Sequence, residues 1–307
     1  MSLSGELIKA DKALDSILSG TERRIVRAHA NSLVAIRSEL AQVYAKYEKA
    51  GELTYAEMAK YGRLQGLEAD IRKELNSLTG KTVRAVDSGN MAGYAESYYR
   101  TVFGIEGEAQ AKLGYSMLNK NTIQRAIDNP LEKLALRRNA ANIKITMSQQ
   151  ITQGLIQGES YTKMASRVKD TLESNTNNAL RIARTEAHRA QQLGRKDSTE
   201  RASELGVEME KVWDASLDDR TRDSHQSLDG VAVGVDEDFY NPETGGRGPV
   251  PGSMGTAEDD INCRCSVRYQ IKGYSPEVRN AREEGTIPYQ TYEEYAKARG
   301  WKKQNGG

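Results

Sequence analysis

From Val26 onward the apolar positions run Val26, His29, Leu33, Ile36, Leu40, Val43 and Tyr47. Steps alternating strictly between three and four residues put such positions on one face of an α-helix and on one face of nothing else. A second stripe, in steps of three and then of four, follows Gly51 with Tyr55, Met58, Tyr61, Leu64, Leu67, Ile71 and Leu75. Ser19 with Glu22, and Thr54 with Glu57, have the spacing of capping boxes that open the two helices. Leu78-Thr79-Gly80 has the composition of a helix end. The sequence therefore predicts an antiparallel helical hairpin over residues 1–80. His29 lies in the first stripe and reads as a core histidine with a hydrogen-bond partner.

Residues 82–118 are helical in pattern but interrupted by Gly93, Gly104, Gly107 and Gly114, with Tyr94, Tyr98, Tyr99 and Phe103 placed to pack between helices. Asn129-Pro130 is a firm break. After it come helical segments expected at 131–155, 160–173 and about 177–205, ending at Gly206. Beyond Gly206 the pattern changes to short strands at 208–213, 231–235 and 266–271, separated by Gly-, Pro- and Asp-rich loops. Strands so far apart pair antiparallel or through long excursions, so a small antiparallel sheet packed on a helical layer is expected. The fold class is α+β and mainly helical. The expected organisation is a hairpin arm at 1–80, a helical connector at 81–130, an α+β domain at 131–282 and a helical or loose tail at 283–307.

Composition agrees with long exposed helices. Of 307 residues, 37% are hydrophobic and 28% charged, and the mean hydropathy is −0.70. No apolar run approaches the roughly 18 residues that a membrane span needs. The opening MSLSGELIKADKAL is too polar for a signal peptide, so a cytoplasmic protein with no membrane partner is expected. Cys263 and Cys265 are the only cysteines, which excludes a disulfide framework.

The net charge of +1 makes no global case for binding nucleic acid, but its distribution is uneven. Residues 131–201 carry thirteen Lys or Arg against seven Asp or Glu, and residues 214–260 carry three against twelve. Two readings stand level: the segments attract each other, or the basic face binds a partner. In the second, Arg137, Arg138, Lys144, Lys163, Arg167, Lys169, Arg195 and Lys196 hold phosphates non-specifically, with an affinity that falls steeply with salt.

Unusual polar residues concentrate in three stretches. Arg184, Thr185, Glu186, His188 and Arg189 fall on a helix. Asp219, Arg220, Asp223 and His225 fall in a loop that runs to Asp229-Gly230, and Asn262-Cys263-Arg264-Cys265 follows later. The simplest reading is a polar seam bonding the backbone of loops packed over the helix. An enzymatic alternative uses Asp219, Asp223 and His225 as a metal-dependent nuclease-like or hydrolytic set. Against it, the chain has no phosphate-cradling glycine loop, no His-Glu-x-x-His and no nucleophile elbow. Glu208-x-Glu210 has the form of an ADP-ribosyltransferase pair, but on a strand it reads as a solvated face.

The order Ala183-Arg184-Thr185-Glu186, Trp213-x-Ala215, Asp219-Arg220-Thr221-Arg222-Asp223-Ser224-His225, Leu228-Asp229-Gly230, Pro251-Gly252 and Ile261-Asn262-Cys263-Arg264-Cys265 resembles the phage head morphogenesis family. These are the minor head proteins related to the Mu F protein, and the likeness covers about residues 131–271. It implies a non-catalytic virion component assembled into the procapsid with the portal protein, near the vertex through which DNA enters and leaves. Scaffold, major capsid protein and DNA are further candidate partners, and the implied location is host cytoplasm during assembly, then the head near the portal vertex. Relatives carry Cys-x-x-Cys where this chain has Arg222-Asp-Ser-His225, and a His near Asp260, which with the last Cys pair implies zinc. Here His225, Cys263 and Cys265 remain, with Asp223 or Asp260 as a fourth ligand. The other open reading is a hydrogen-bonded cluster in which Asp219 and Asp229 cap loops and Arg220 and Arg264 bridge them. Either way, Arg184, Thr185, Glu186, Asp219, Arg220, Asp223, His225, Asp229, Asn262, Cys263 and Cys265 form the expected organising polar cluster.

Overall fold

The computed structural model describes residues 2–115, 117–273, 276–281 and 284–301. The helices α1 (Leu3–Tyr47), α2 (Tyr55–Ala59), α3 (Arg63–Ala109), α4 (Lys120–Ala126), α5 (Pro130–Ile156) and α6 (Tyr161–Glu204) come first. Then follow β1 (Met209–Asp214), α7 (Asp223–Gln226), β2 (Ala232–Gly234), β3 (Phe239–Tyr240), β4 (Arg247–Gly248), α8 (Ala257–Asp260), β5 (Ser266–Ile271), β6 (Val278–Ala281), β7 (Gly285–Pro288) and α9 (Tyr292–Ala298). The fold is mainly helical α+β. The chain divides into two compact units: a bundle of Ser19–Ser88 with Asn129–Ala183, and an α+β unit of Met1–Leu18, Gly89–Asp128 and Arg184–Gly307. No helix among the described residues is long and apolar enough to cross a membrane.

In the bundle, the stripes of α1 and α3 do what their spacing requires. Ile36, Leu40, Leu67, Ile71 and Leu75 are buried with Ile143, Met147 and Ile151 of α5 and Val168 and Leu172 of α6. Each such side chain stabilises by about 1.5–3 kcal/mol relative to exposure. Val26, Tyr55 and Tyr61 depart from the expected stripes and are exposed. Thr54 does cap α2, accepting from the Glu57 amide at 3.3 Å. That helix then breaks at a 3-10 turn, Lys60–Gly62, where Tyr61 has φ +53°, and restarts at Arg63. His29 is a core histidine with two bonds, Nδ1 to the Ile25 carbonyl at 2.9 Å and Nε2 to Asn175 Oδ1 at 3.0 Å.

Three expected helix ends do not occur. α1 runs through Ser19 because Leu3, Leu7 and Leu14 before it are themselves buried. α3 runs through Gly80, Gly93, Gly104 and Gly107. α6 continues across the break expected near residue 175, because Asn175 faces inward and its amide bonds Asn139 while its oxygen meets His29. Packing here outweighs a preference of under about 1 kcal/mol per residue. Asn129-Pro130 and Gly206 behave as expected: Asn129 Oδ1 caps α5 and Gly206 sits at φ +93°.

In the α+β unit the glycines of α3 and α6 admit close neighbours rather than breaking helices. A Cβ on Gly104 would lie 2.9 Å from Leu3 Cα, and one on Gly194 would overlap the Tyr94 carbonyl oxygen. Tyr94 and Tyr98 stack at 6.2 Å, and the Tyr94 hydroxyl donates to Asp197 at 2.6 Å. Among the described residues, β1 is the centre of a three-stranded antiparallel sheet in the order β2-β1-β5, with Trp213 opposite Val267. Two-stranded antiparallel ribbons, β3-β4 and β6-β7, accompany it. Trp213, Phe239, Val267 and Tyr269 are fully buried with Leu3 and Leu7. Of the tail expected from 283, the described part holds β7 and α9, the latter opened by a capping box of Thr291 and Glu294.

Candidate functional site

β1 ends beneath a loop organised by carboxylates. Asp218 accepts from the Arg220 amide at 3.0 Å, from Ser216 and Thr221 hydroxyls at 3.2 Å, and from Arg264 at 2.7 Å. This loop delivers α7, which carries His225 nearly perpendicular to the Trp213 ring, 5.5 Å between centroids. Asp229 then accepts the Ala215 amide at 2.8 Å, the Tyr292 amide at 2.7 Å and both terminal nitrogens of the buried Arg279 at 2.6 and 3.1 Å. A carboxylate with so many donors closes the loop upon itself.

The opposite wall comes from the turn before β5. Thr256 caps α8, and Asp260 accepts the Met254 and Gly255 amides at 2.7 and 3.0 Å. Asn262 adopts φ +55° and its amide donates to Thr185 Oγ1 at 3.2 Å, tying the turn to α6. The Cys265 carbonyl accepts from His188 Nε2 at 2.7 Å. So placed, the Cys263 and Cys265 sulfurs lie 3.7 and 3.5 Å from His225 Nδ1. On the far side of the ring His225 Nε2 meets Asp259 Oδ1 at 3.2 Å. Asp259 is 0% exposed and also accepts from Thr244 at 2.6 Å, Thr256 at 2.7 Å and Asn241 at 2.8 Å.

The electrostatics follow from these bonds. The Cys263 thiol, then the His225 ring, hold the Cys265 thiol down to about 5, while the same bond from Cys265 and burial push Cys263 up. Burial opposes charge on His225, yet its bond to Cys265 and then its bond to Asp259 raise it overall. Asp259 stays low despite burial because Thr244, Thr256, His225 and Asn241 all donate to it. His188 is pushed down to about 4, chiefly by burial.

The donor set fits zinc. The three ligand atoms lie within 4.8 Å of one another and all three residues are buried. Zinc–sulfur bonds of about 2.3 Å and zinc–nitrogen bonds of about 2.0–2.1 Å imply tetrahedral N–S edges of about 3.5 Å, close to the two distances here. The fourth ligand expected from the sequence is not in this group: Asp223 opens α7 apart from it, and Asp260 is committed to backbone amides.

Other expected residues scatter. Asp219 and Arg220 are exposed, and Asp218, not Asp219, caps the loop and receives Arg264. Asp229 is bridged by Arg279 rather than by Arg220 or Arg264. Glu186 pairs with Arg189 at 2.8 Å and Arg184 is exposed. Sequence reasoning missed Asp259, Asn241, Thr244 and Arg279; only Thr256 with Asp259, at cap spacing, left a readable trace.

The cations expected to meet phosphates divide sharply. Arg137, Arg138 and Lys163 are exposed and Lys144 is half-buried. Arg167 is engaged by Glu159, Lys169 by Glu173 and Lys196 by Glu200. Arg195 is 1% exposed and holds Asp11 and the Leu7 and Val267 carbonyls, so it is a core cation and drops out of any surface.

Comparison with known proteins agrees with the motif order. The family described as phage Mu protein F like protein matches residues 145–268. The minor head protein GP7 of Bacillus phage SPP1 is 38% identical over 300 residues, covering 94% of this chain and 96% of that one. A protein of Enterococcus faecalis named NAD(+)–arginine ADP-ribosyltransferase EFV is 29% identical over 90% of this chain, which spans 56% of its length. An uncharacterized Haemophilus influenzae protein is 28% identical over 38% of this chain and 22% of its own. No solved structure gives a significant match. With identity of this extent running end to end through both chains, the protein belongs to the Mu F-like family of phage minor head proteins.

Proposed function

We propose that the protein is a non-catalytic structural component of the phage head that docks on the portal protein and takes part in procapsid assembly and in DNA packaging or exit. The observation that carries this reading is the end-to-end likeness to a minor head protein. The protein would act in the host cytoplasm during assembly and then inside the head near the portal vertex, with scaffold and major capsid protein as further contacts. Residues 131–282 are the proposed head-morphogenesis segment and residues 1–80 the proposed grip. His225, Cys263 and Cys265 are proposed to hold zinc, which when bound cross-links α7 to the turn before β5.

The non-catalytic reading draws support from His225, which is 2% exposed with both ring nitrogens engaged, and from Asp219, which lies in solvent. Glu208 faces Lys272 in solvent and Glu210 bonds Gln270 across the strand pair, which is the solvated-face pattern. The activity in the name of the enterococcal relative belongs to a protein of nearly twice the matched length.

The test is co-expression with the portal protein of the same genome, followed by size-exclusion chromatography with mass determination. Co-elution at a few copies per portal ring is expected, and failure to associate overturns the reading. Because Leu3 and Leu7 are core residues, the grip is tested with the exposed substitutions Val34→Glu and Tyr61→Ala rather than by truncation. Non-specific DNA binding is a second reading, favoured by the exposed Arg137, Arg138 and Lys163. Retention on DNA that weakens steeply between low and physiological salt is expected, and no retention at low salt removes it.

A further inference from the structure

We propose that Asp259 is the positioning residue of this centre: it fixes the orientation of the His225 ring so that Nδ1, and not Nε2, is presented to a cation beside Cys263 and Cys265. This deepens, and rests on, the zinc reading above. A fully buried carboxylate such as Asp259 persists only where donors surround it. Asp259 Oδ2 receives the hydroxyls of Thr244 and Thr256, and Oδ1 receives the Asn241 amide and the His225 Nε2–H. Thr244 and Asn241 come from the stretch between β3 and β4, and Thr256 from the cap of α8, so three separate backbone positions hold one carboxylate still. The ring it holds also packs at a near-right angle against the Trp213 ring.

The consequence is geometric. With Nε2–H committed to Asp259, only the Nδ1 lone pair faces the sulfurs, at 3.5 and 3.7 Å. Carboxylates that receive the far N–H of a ligating histidine set its tautomer and raise its basicity, and their loss costs about 10–100-fold in metal affinity. No other described carboxylate or imidazole joins the three donors, so a soft, borderline divalent cation of the zinc class would here have three protein ligands. Such a site depends more on the aim of its single histidine than a four-thiolate site does.

The test titrates cobalt(II) into the full chain and follows the thiolate-to-cobalt charge-transfer band, which reports ligation directly. The chain is expected to bind one cobalt per molecule, displaced by zinc. Asp259→Asn is expected to bind about 10–100-fold more weakly with an altered band. Thr244→Val, which leaves the carboxylate but removes one of its donors, is expected to lose affinity severalfold, and Thr244→Ser to restore it. The Thr244 pair decides the matter if Asp259→Asn does not fold. Cobalt binding in the unaltered chain with no loss in a folded Asp259→Asn or Thr244→Val variant overturns the role of Asp259. Absence of stoichiometric binding in the unaltered chain overturns the zinc reading, and this proposal with it.

Discussion

The bundle and the α+β unit solve the problem of being ordered in different ways. The bundle buries aliphatic side chains at regular steps, with single polar residues such as His29, Ser32 and Asn175 set among them. The α+β unit has an apolar core too, around Trp213 and Tyr269, but its loops are held by buried charge: Asp218, Asp229, Asp259 and Arg279. Aliphatic packing is divisible, so the loss of one side chain costs its own share. A buried charge network is not divisible, because removing one member strands its partners.

The sharpest way to break this comparison is Asp229→Ala. It deprives two backbone amides of an acceptor and leaves Arg279 buried beside a missing partner, so a loss of about 3–5 kcal/mol is expected. Hydrogen exchange should rise in β1, β6 and α9 and leave α1 within 19–47 protected. Uniform loss of protection in both units would show that they do not differ as argued. Leu40→Ala is the matching change in the bundle, with an expected cost of about 2–5 kcal/mol read from denaturant midpoints and a loss of protection centred on α1 and α3.

Gly194→Ala sharpens the contrast within the α+β unit. A helix interior gains from Ala over Gly, yet here the added Cβ meets the Tyr94 carbonyl, so destabilisation of about 1–3 kcal/mol is expected. A higher melting temperature would refute the close approach. The smallest effect is one of pH. His188 is neutral in the fold down to about 4, whereas the unfolded chain takes its proton near 6.5. Between those values the unfolded state binds more protons, so this contribution is full above 6.5 and is lost as pH falls towards 4. His188→Gln, which keeps a donor for the Cys265 carbonyl, should show a shallower fall in melting temperature across that window. An equal slope in both proteins would place the acid sensitivity elsewhere.

How much of the molecule could be read in advance follows the same division. The helical stripes, the Asn129-Pro130 break and the three strands of the main sheet were legible because each rests on spacing or on residue chemistry, and the grouping of His225 with Cys263 and Cys265 was legible only through the family resemblance. The false ends at Ser19, Gly80 and residue 175 came from treating local preferences of a fraction of a kcal/mol as decisive. Asp259 was illegible, since nothing near it in sequence announces that Thr244, Asn241 and His225 will converge on it.

The helical character, the change to short strands after Gly206 and the family are written in periodicity and motif order, which are properties of the chain. That Arg195 is a core cation rather than a phosphate ligand, that Gly104 and Gly194 admit neighbours, and that Asp259 stands behind His225 emerge only once the chain is folded. Burial decides such matters, and burial depends on what distant segments bring to the same place: a charge in water costs nothing, whereas the same charge in a core survives only with partners.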